Sequence, residues 1–598
     1  MSDHDSCLGV VHFPDRSLRA EYKEYKLSIT CTIHSSAFSF SSAYLIFFMA
    51  DNPLNNTSGV PEKREESRPT PLQDEPQYPG RVKLACILFG LNLSMFLVGL
   101  DNTILSSAIP KITDQFHALG DVGWYASAYL LTNCAFQLFW GKLYTFYTVK
   151  WVYLAALFLF ELGSLICAVA PSSMALIIGR AIAGVGAGGV ANGSFLLIAH
   201  SVPAPKRPTL VGLLGAMYGL AAIAGPLMGG AFTDNASLTW RWCFYINLPL
   251  GVVPAFVIVF LIPSFAGSNN RQSGALNQIK QMDVPGSLCL LPGVICLLLA
   301  LQWGGTKYPW DNGRIIALLV LAGALLVGFT TIQYFSGDRA TVPPRVFGNR
   351  NVWGAALFGS GVTAGFFLML YYIPIWFQAI KSASPIRSGV MNLPMVLAYV
   401  VFSLSGGLLT SKIGYYIPFA YLTVLLMSTG SGLLTTLSVS SGSPEWIGFQ
   451  FLFGAGVGLG LQTAFAAPQC ALPIEDVAIG TAIVMFLENL CAAVFVSVGQ
   501  NVFGNRLSAN IGVYAPGVVD AGKLIEGGAT EVKRVVLKGQ GEAAYRAVLV
   551  AYNKALTETF YVGVGLSVVA ILGVVAMEWV NVKGPGKKET GDGEGDGV

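Results

Sequence analysis

Fourteen stretches of about twenty apolar residues recur along the chain, and they constrain its fold more than any other feature. They are Leu84–Leu105, Val122–Leu143, Trp151–Ala170, Met174–Ile198, Leu210–Phe232, Cys243–Ile262, Val284–Trp303, Ile315–Phe335, Val352–Phe377, Ser388–Leu409, Ile417–Leu437, Ile447–Ala466, Ala478–Phe503 and Phe560–Val580. A hydrocarbon core about 30 Å thick takes about 20 such residues as a helix. The runs are too long and too evenly apolar for the roughly ten-residue alternating strands of a membrane barrel. The expected fold is therefore an all-α polytopic membrane protein with 14 transmembrane helices. Composition agrees. Only 12% of the 598 residues are charged and 53% are hydrophobic, against about 25% charged in a soluble domain. That excludes a large water-soluble enzyme, a disordered protein and a nucleic-acid binder. A net charge of +3 supplies no field to steer a polyanion.

An even number of spans puts both ends of the chain on one side. If that side is the cytoplasm, the inner flanks and loops hold about fifteen cations, among them Lys142, Lys150, Lys206, Arg207, Arg345, Arg350 and Lys412, and the short outer loops about six. Both termini are expected to be cytoplasmic. Residues 1–80 read as a largely disordered tail, with a Pro/Glu/Arg-rich part from Pro61 to Pro79. Ala43–Ala50 is apolar but too short to span, and no basic segment opens the chain as a signal peptide would. Met49 is a second candidate start. The tail from Lys583 is rich in Gly and charge and reads as disordered. Residues 504–558 read as a long outer loop in which Glu531–Ala555 forms an amphipathic surface helix.

Several motifs fit membrane packing better than chemistry. Gly184, Gly186 and Gly189 satisfy G-x-G-x-x-G, but no strand precedes them and they lie inside an apolar span. Glycines there let helices approach closely. No P-loop is present, so uphill movement would draw on an ion gradient or a partner. The ten cysteines follow no metal or disulfide spacing, and no metal is expected. Asn235-Ala236-Ser237 is a glycosylation sequon in a short outer loop. The two ends of the membrane region echo each other. Gly141-Lys142 closes span 2 as Gly407…Lys412 closes span 10, and the glycine-rich span 4 has its counterpart in Gly454–Gly460 of span 12. Two six-helix bundles (spans 1–6 and 9–14; residues 81–263 and 336–580) are expected, with two inserted helices in 264–335 between them.

Charges inside a bilayer are costly, so each needs a reason. Asp101 lies near the outer end of span 1, and Arg180 about 9 Å deep in span 4 at 1.5 Å per residue. They can pair across a helix interface, either as a proton-dependent switch or as a static lock. Glu488 sits in the middle of span 13, where it either carries a proton, holds a cationic substrate, or is simply hydrogen-bonded within its bundle. Glu161 in span 3 reads as packing rather than chemistry. A substrate cavity should be apolar and aromatic with a few polar groups; the candidates are Trp124, Tyr129, Asn133, Gln137, Tyr371, Trp376, Gln378, Gln462 and Asn489. An enzyme is not expected, because no nucleophile–base pair appears.

Four stretches, in this order, resemble the major facilitator superfamily, in particular its fourteen-span drug:proton antiporter branch of fungal toxin and multidrug efflux pumps. They are Leu100-Asp101-Asn102-Thr103-Ile104 with Ala108-Ile109-Pro110; Gly179-Arg180 with Gly184 and Gly186; Gly225-Pro226-Leu227-Met228-Gly229-Gly230; and Trp240-Arg241-Trp242 through Asn247-Leu248-Pro249. The resemblance covers roughly residues 80–580 and implies proton-coupled efflux of amphipathic small molecules by alternating access. It implies no cofactor beyond the proton gradient, and a monomer in the plasma membrane. It also assigns Gly225, Pro226, Gly229 and Gly230 to the motif such exporters carry. The loop after span 2 departs from the family pattern. Gly141, Lys142 and Lys150 remain as a basic gating loop, but the usual acidic residue is absent. An amino-acid or siderophore transporter of the same fold and a non-transporting membrane sensor are the rival expectations.

Overall fold

The computed structural model describes residues 78–118, 121–234, 238–262, 282–305, 307–518 and 532–583. The expected disordered tails and the sequon at Asn235 lie outside the described residues. Among the described residues the chain is built of helices, of which those of twelve residues or more are numbered here, with shorter helical turns between some of them. In order they are α1 (Arg81–Thr103), α2 (Leu105–Phe116), α3 (Val122–Phe146), α4 (Val149–Val169), α5 (Ser173–Ser201), α6 (Arg207–Asp234), α7 (Asn247–Leu261), α8 (Val284–Trp303), α9 (Gly313–Ser336), α10 (Arg350–Ile380), α11 (Leu393–Ile413), α12 (Ile417–Leu434), α13 (Ser443–Ala471), α14 (Val477–Tyr514) and α15 (Val532–Ala576).

Local chemistry sets several ends. The hydroxyl of Ser172 accepts from the Ala175 N–H to open α5, and the side chains of Asn312 and Asn349 accept from Arg314 and Asn351 to open α9 and α10. Gly414, at φ 91°, closes α11 in the left-handed conformation that glycine adopts without strain.

Among the described residues, thirteen helices are long and apolar enough to cross a membrane. The second expected span, α3, has the length but not the apolarity. It carries Thr132, Asn133 and Gln137, and it packs between α5, α8 and α14. Neighbouring helices therefore shield those polar groups.

Helices α1 and α3–α7 pack on one another, as do α10–α15, giving two six-helix bundles. The inserted α8 and α9 pair with each other, and α8 leans on α3 of the first bundle and α14 of the second. Two seams join the bundles: α6 against α11 and α13, and α14 against α3 and α5.

The expected outer loop at 504–558 needs correction. Helix α14 continues through Tyr514, and residues 541–576 form one helix that includes the last span. Gly541, at φ 81°, kinks the start of that helix. Glu531–Ala555 is not a separate surface helix, because from Gly541 onward its residues continue directly into the span. The extension packs on α14 through Phe503 and Tyr552, whose ring centroids lie 5.3 Å apart, and through Arg506 and Asn510 on Glu558.

Candidate functional site

The densest polar cluster in the first bundle surrounds Asp101, in the last turn of α1. Arg180 on α5 reaches it with Nη1, which donates to the Asp101 carboxylate at 2.5 Å and to its backbone carbonyl at 3.2 Å. Its Nε donates to the Tyr125 carbonyl of α3 at 2.8 Å, and the guanidinium lies 4.4 Å from the Tyr129 ring centroid. Both charged side chains are fully buried. Asn247, at the start of α7, donates to the second Asp101 oxygen and to Ser164 of α4, each at 3.2 Å. The pair thus ties α1, α3, α4, α5 and α7 together. Nη2 of Arg180 has no hydrogen-bond partner. Removing either charge would leave the other buried and uncompensated, which costs several kcal/mol.

Close helix contacts position this cluster. A Cβ at Gly163 would strike the backbone of Ala183, one at Gly184 the backbone of Tyr129, and one at Gly186 the backbone of Phe160. Gly225 of α6 packs in the same way on Thr103 and Ile104, beside Asp101. Pro226 lies inside the continuous helix α6, and Gly229 accepts from the Thr233 hydroxyl at 2.8 Å. Nothing lies within 4 Å of where a Cβ on Gly230 would sit.

The bundles meet most tightly at the end that bears Lys142 and Arg207, called here the basic end. Phe195 of α5 stacks on Phe465 of α13, with centroids 4.5 Å apart. Gly141 packs against Ala482, and Arg207 donates to the Gln469 carbonyl at 2.7 Å. Farther along the seam, Ser403 and Tyr399 of α11 donate to the Gly212 and Gly215 carbonyls of α6, each at 2.9 Å. The segment after α9 spans both bundles at this end. Lys142 donates to the Arg339 and Ala340 carbonyls at 3.0 and 2.6 Å, while Arg345 makes a two-pronged contact with Asp476 at 2.7 and 3.0 Å. The Asp476 carboxylate raises the Arg345 guanidinium above its ordinary pKa, first by hydrogen bonding and then by charge. Lys150, by contrast, donates to the Val259 carbonyl within the first bundle.

The expected cavity residues are divided by the fold. Gln137 and Gln462 lie on the seams between the bundles. Gln137 contacts the Gly188 carbonyl and the Met485 sulfur, and Gln462 donates to Ser403 at 2.7 Å beside Gly215. Asn133 lies near Gly188, with its side-chain oxygen unpartnered. Asn489 is half-buried one residue from Glu488, and Tyr371 is more than half exposed beside Tyr372.

The other four face elsewhere. Tyr129 is buried beneath Arg180, its hydroxyl on the Val98 carbonyl. Trp124 packs edge-on against Trp303 of the inserted pair. Trp376 is buried and donates to Asn553 of α15 at 2.7 Å, and Gln378 donates to Ser388. These four hold helices together, because each spends its ring or polar group on a neighbouring element.

Glu488 lies buried in the second bundle with Oε1 unpartnered, in a slot that a Cβ on Gly359 would fill; Thr363 and Tyr399 flank it.

The profile of the Major Facilitator Superfamily matches residues 91–496. This chain belongs to that family. It is 50% identical over 548 residues to the MFS-type transporter astH of Aspergillus oryzae, covering 90% of this chain and 95% of that protein. It is 53% identical over 504 residues to the MFS-type efflux pump MFS1 of Arthroderma benhamiae, covering 84% and 92%. Among solved structures it is similar to the MFS proton:xylose symporter XylE, with TM-score 0.53 and 15% identity, covering 81% of this chain and 94% of that one. It is a multi-pass membrane transporter of the superfamily, not an enzyme.

Sequence reasoning quoted Asn247 only within a family motif, with no role at the site, and missed Ser164, Tyr399 and Ser403. Each is a polar residue inside an apolar run, and that is the signal that could have found them. For this superfamily member the Arg345–Asp476 contact is a measurable latch. Arg345→Glu is expected to raise several-fold the rate at which a Phe465→Cys reporter reacts with an impermeant maleimide supplied at the basic end. Pairing it with Asp476→Arg should restore the slow rate. The effect is modest, since the Arg345 side chain is 62% exposed and screened. Equal rates in all three proteins would remove the latch.

Proposed function

We propose that the chain exports amphipathic small molecules, such as drugs or secondary metabolites, in exchange for protons. The observation that carries this reading is the fully buried Asp101–Arg180 pair, held where five helices meet. Relatives about half identical over most of the chain bear the name efflux pump, which supports the outward direction. A buried carboxylate against a fixed guanidinium has two stable conditions: ionised and paired, or protonated and released. Exchange between them gives a two-state element that both a proton and a substrate can bias.

In this reading the basic end faces the cytoplasm, both termini are cytoplasmic, and the protein works as a monomer in the plasma membrane. The sealed contacts at Phe195–Phe465 and Gly141–Ala482 then close the inner side, so the site opens outward. Rocking the first bundle against the second about the α6–α11 and α3–α14 seams would reverse this. No cofactor is needed, and the substrate is a small molecule rather than a nucleic acid. Glu488, flanked by Thr363 and Tyr399 with Oε1 unpartnered, is the second candidate for proton or cation binding.

The test is ethidium efflux from cells expressing the chain, with and without an imposed pH gradient. Gradient-driven efflux that disappears when the gradient is collapsed supports the reading. Efflux that ignores the gradient removes the proton mechanism, and gradient-driven uptake reverses the direction. In the same assay Glu488→Gln is expected to lower the efflux of cationic ethidium several-fold, with less effect on a neutral dye. An equal loss for both dyes would assign Glu488 to proton exchange instead of cation binding.

A further inference from the structure

Glu161 looks like a packing residue by sequence, yet its surroundings are not those of a packing residue. It lies midway along α4, facing α7. Both carboxyl oxygens are buried, and neither has a hydrogen-bond partner. The slot exists because residue 251 is glycine: a Cβ there would overlap the Glu161 carboxyl. Gly251 is one turn along α7 from Asn247, the residue that donates to Asp101. Ser164, one turn along α4 from Glu161, takes the other Asn247 hydrogen. Two carboxyls therefore flank one polar step, separated along α7 by about 6 Å of helix rise. Only one of them has a cation in contact.

We propose that Glu161 is a second proton-holding carboxyl, coupled to Asp101 through the Asn247–Ser164 step. A buried carboxylate with no donor and no cation is strongly disfavoured, so this group keeps its proton while Asp101 is ionised against Arg180. The charged group that acts on it is Asp101 from α1; Arg180 from α5, Cys167 on α4 and Cys243 ahead of α7 lie around Asp101 in turn. Protonating or releasing Asp101 thus changes what Glu161 can do, and the bundle handles protons at two linked positions. Its part in transport rests on the proton-exchange reading; its coupling to Asp101 does not.

The slot lies close beneath the lipid-facing surface. Phe158 and Leu165 on α4, and Val252 and Phe256 on α7, are exposed apolar residues on either side of it. A lipophilic carbodiimide dissolved in the bilayer therefore needs only a small parting of α4 from α7 to reach Glu161. Dicyclohexylcarbodiimide reacts with the protonated carboxyl: the proton moves to one nitrogen, the carboxyl oxygen adds to the central carbon, and the acyl group shifts to nitrogen. The product is a stable adduct with no leaving group.

The full-length protein in lipid nanodiscs would be treated with this reagent, and the peptides carrying Glu161 and Glu488 quantified by mass spectrometry. In wild type, labelling of Glu161 at pH 7.5 is expected to stay within about twofold of its level at pH 5.5, as a carboxyl lacking donors requires. In Asp101→Asn, which removes the neighbouring negative charge, Glu161 labelling at pH 7.5 should fall several-fold, while Glu488 in the other bundle is unchanged. No adduct at Glu161, or a loss above about tenfold between pH 5.5 and 7.5 in wild type, overturns the proposal; this arm needs no variant. Equal labelling in wild type and Asp101→Asn, or a parallel fall at Glu488, overturns the coupling. Ethidium efflux measured on the same protein separates the two readings. Efflux indifferent to the gradient sinks proton exchange while labelling still decides Glu161. Gradient-driven efflux with labelling blind to Asp101 sinks this inference alone.

Discussion

Asp101→Asn is expected to cut gradient-driven ethidium efflux by at least about tenfold per molecule that reaches the membrane, because the pair it breaks is worth a few kcal/mol to a two-state equilibrium. The reason lies in the geometry. Asn cannot ionise, so the paired condition with Arg180 loses its charge–charge term. Arg180 is left with the Tyr125 and Asp101 backbone carbonyls and the Tyr129 ring. Asp101→Glu keeps the charge and should keep part of the gradient dependence. A static lock makes a different prediction. Asp101→Asn would then lower the melting temperature in detergent and leave the gradient dependence of the remaining efflux unchanged. Measuring both quantities on one preparation decides between them.

Gly186→Val is expected to cost at least about 3 kcal/mol of stability, enough to lose most of the folded protein from the membrane fraction. The atoms a Cβ would strike at this position include the Phe160 backbone nitrogen and the Ala156 carbonyl of α4. Backbone atoms cannot swing away as a flexible side chain can. The whole α4–α5 contact would have to widen, and α5 carries Arg180 while α4 carries Ser164. Gly230→Val is the control, because nothing lies within 4 Å of where its Cβ would sit. It should leave expression and melting temperature within error of wild type. Comparable losses at both positions would mean that close helix approach is not what Gly186 provides.

How much of this was legible beforehand depends on which physical demand left a mark in the chain. The bilayer's demand for length and apolarity is strong, and the membrane-crossing helices follow from it. Helix α3 shows the limit, since Asn133 and Gln137 lower its apolarity and only neighbouring helices make it tolerable. Asp101 and Arg180 stand out because a charge in an apolar run is conspicuous. Asn247 and Ser164 complete the same cluster without having been assigned to it, Asn247 being quoted only within a motif, because neutral polar residues inside spans are too common to flag. Aromatic type alone does not tell which neighbour a ring meets, so Trp124 and Trp376 were assigned to a cavity when they pin helices. The segment at 541–559 lies before the evenly apolar run of the last span and opens on a glycine, so it reads as part of a loop, whereas the structure makes it helical and packs it on α14.

That segment has a mechanical consequence. A helix of 36 residues, Gly541–Ala576, is about 54 Å long, nearly twice the depth of a 30 Å hydrocarbon core. Helix α14, at 38 residues, is longer still. The two are cross-braced beyond the span by Arg506, Asn510 and Glu558, and Trp376 anchors the second through Asn553. Together they form a stiff lever rooted in the second bundle. A tilt of about 10° moves a tip roughly 24 Å beyond the core by about 4 Å, and a fluorophore placed there could report each stroke of the pump without touching its cargo path.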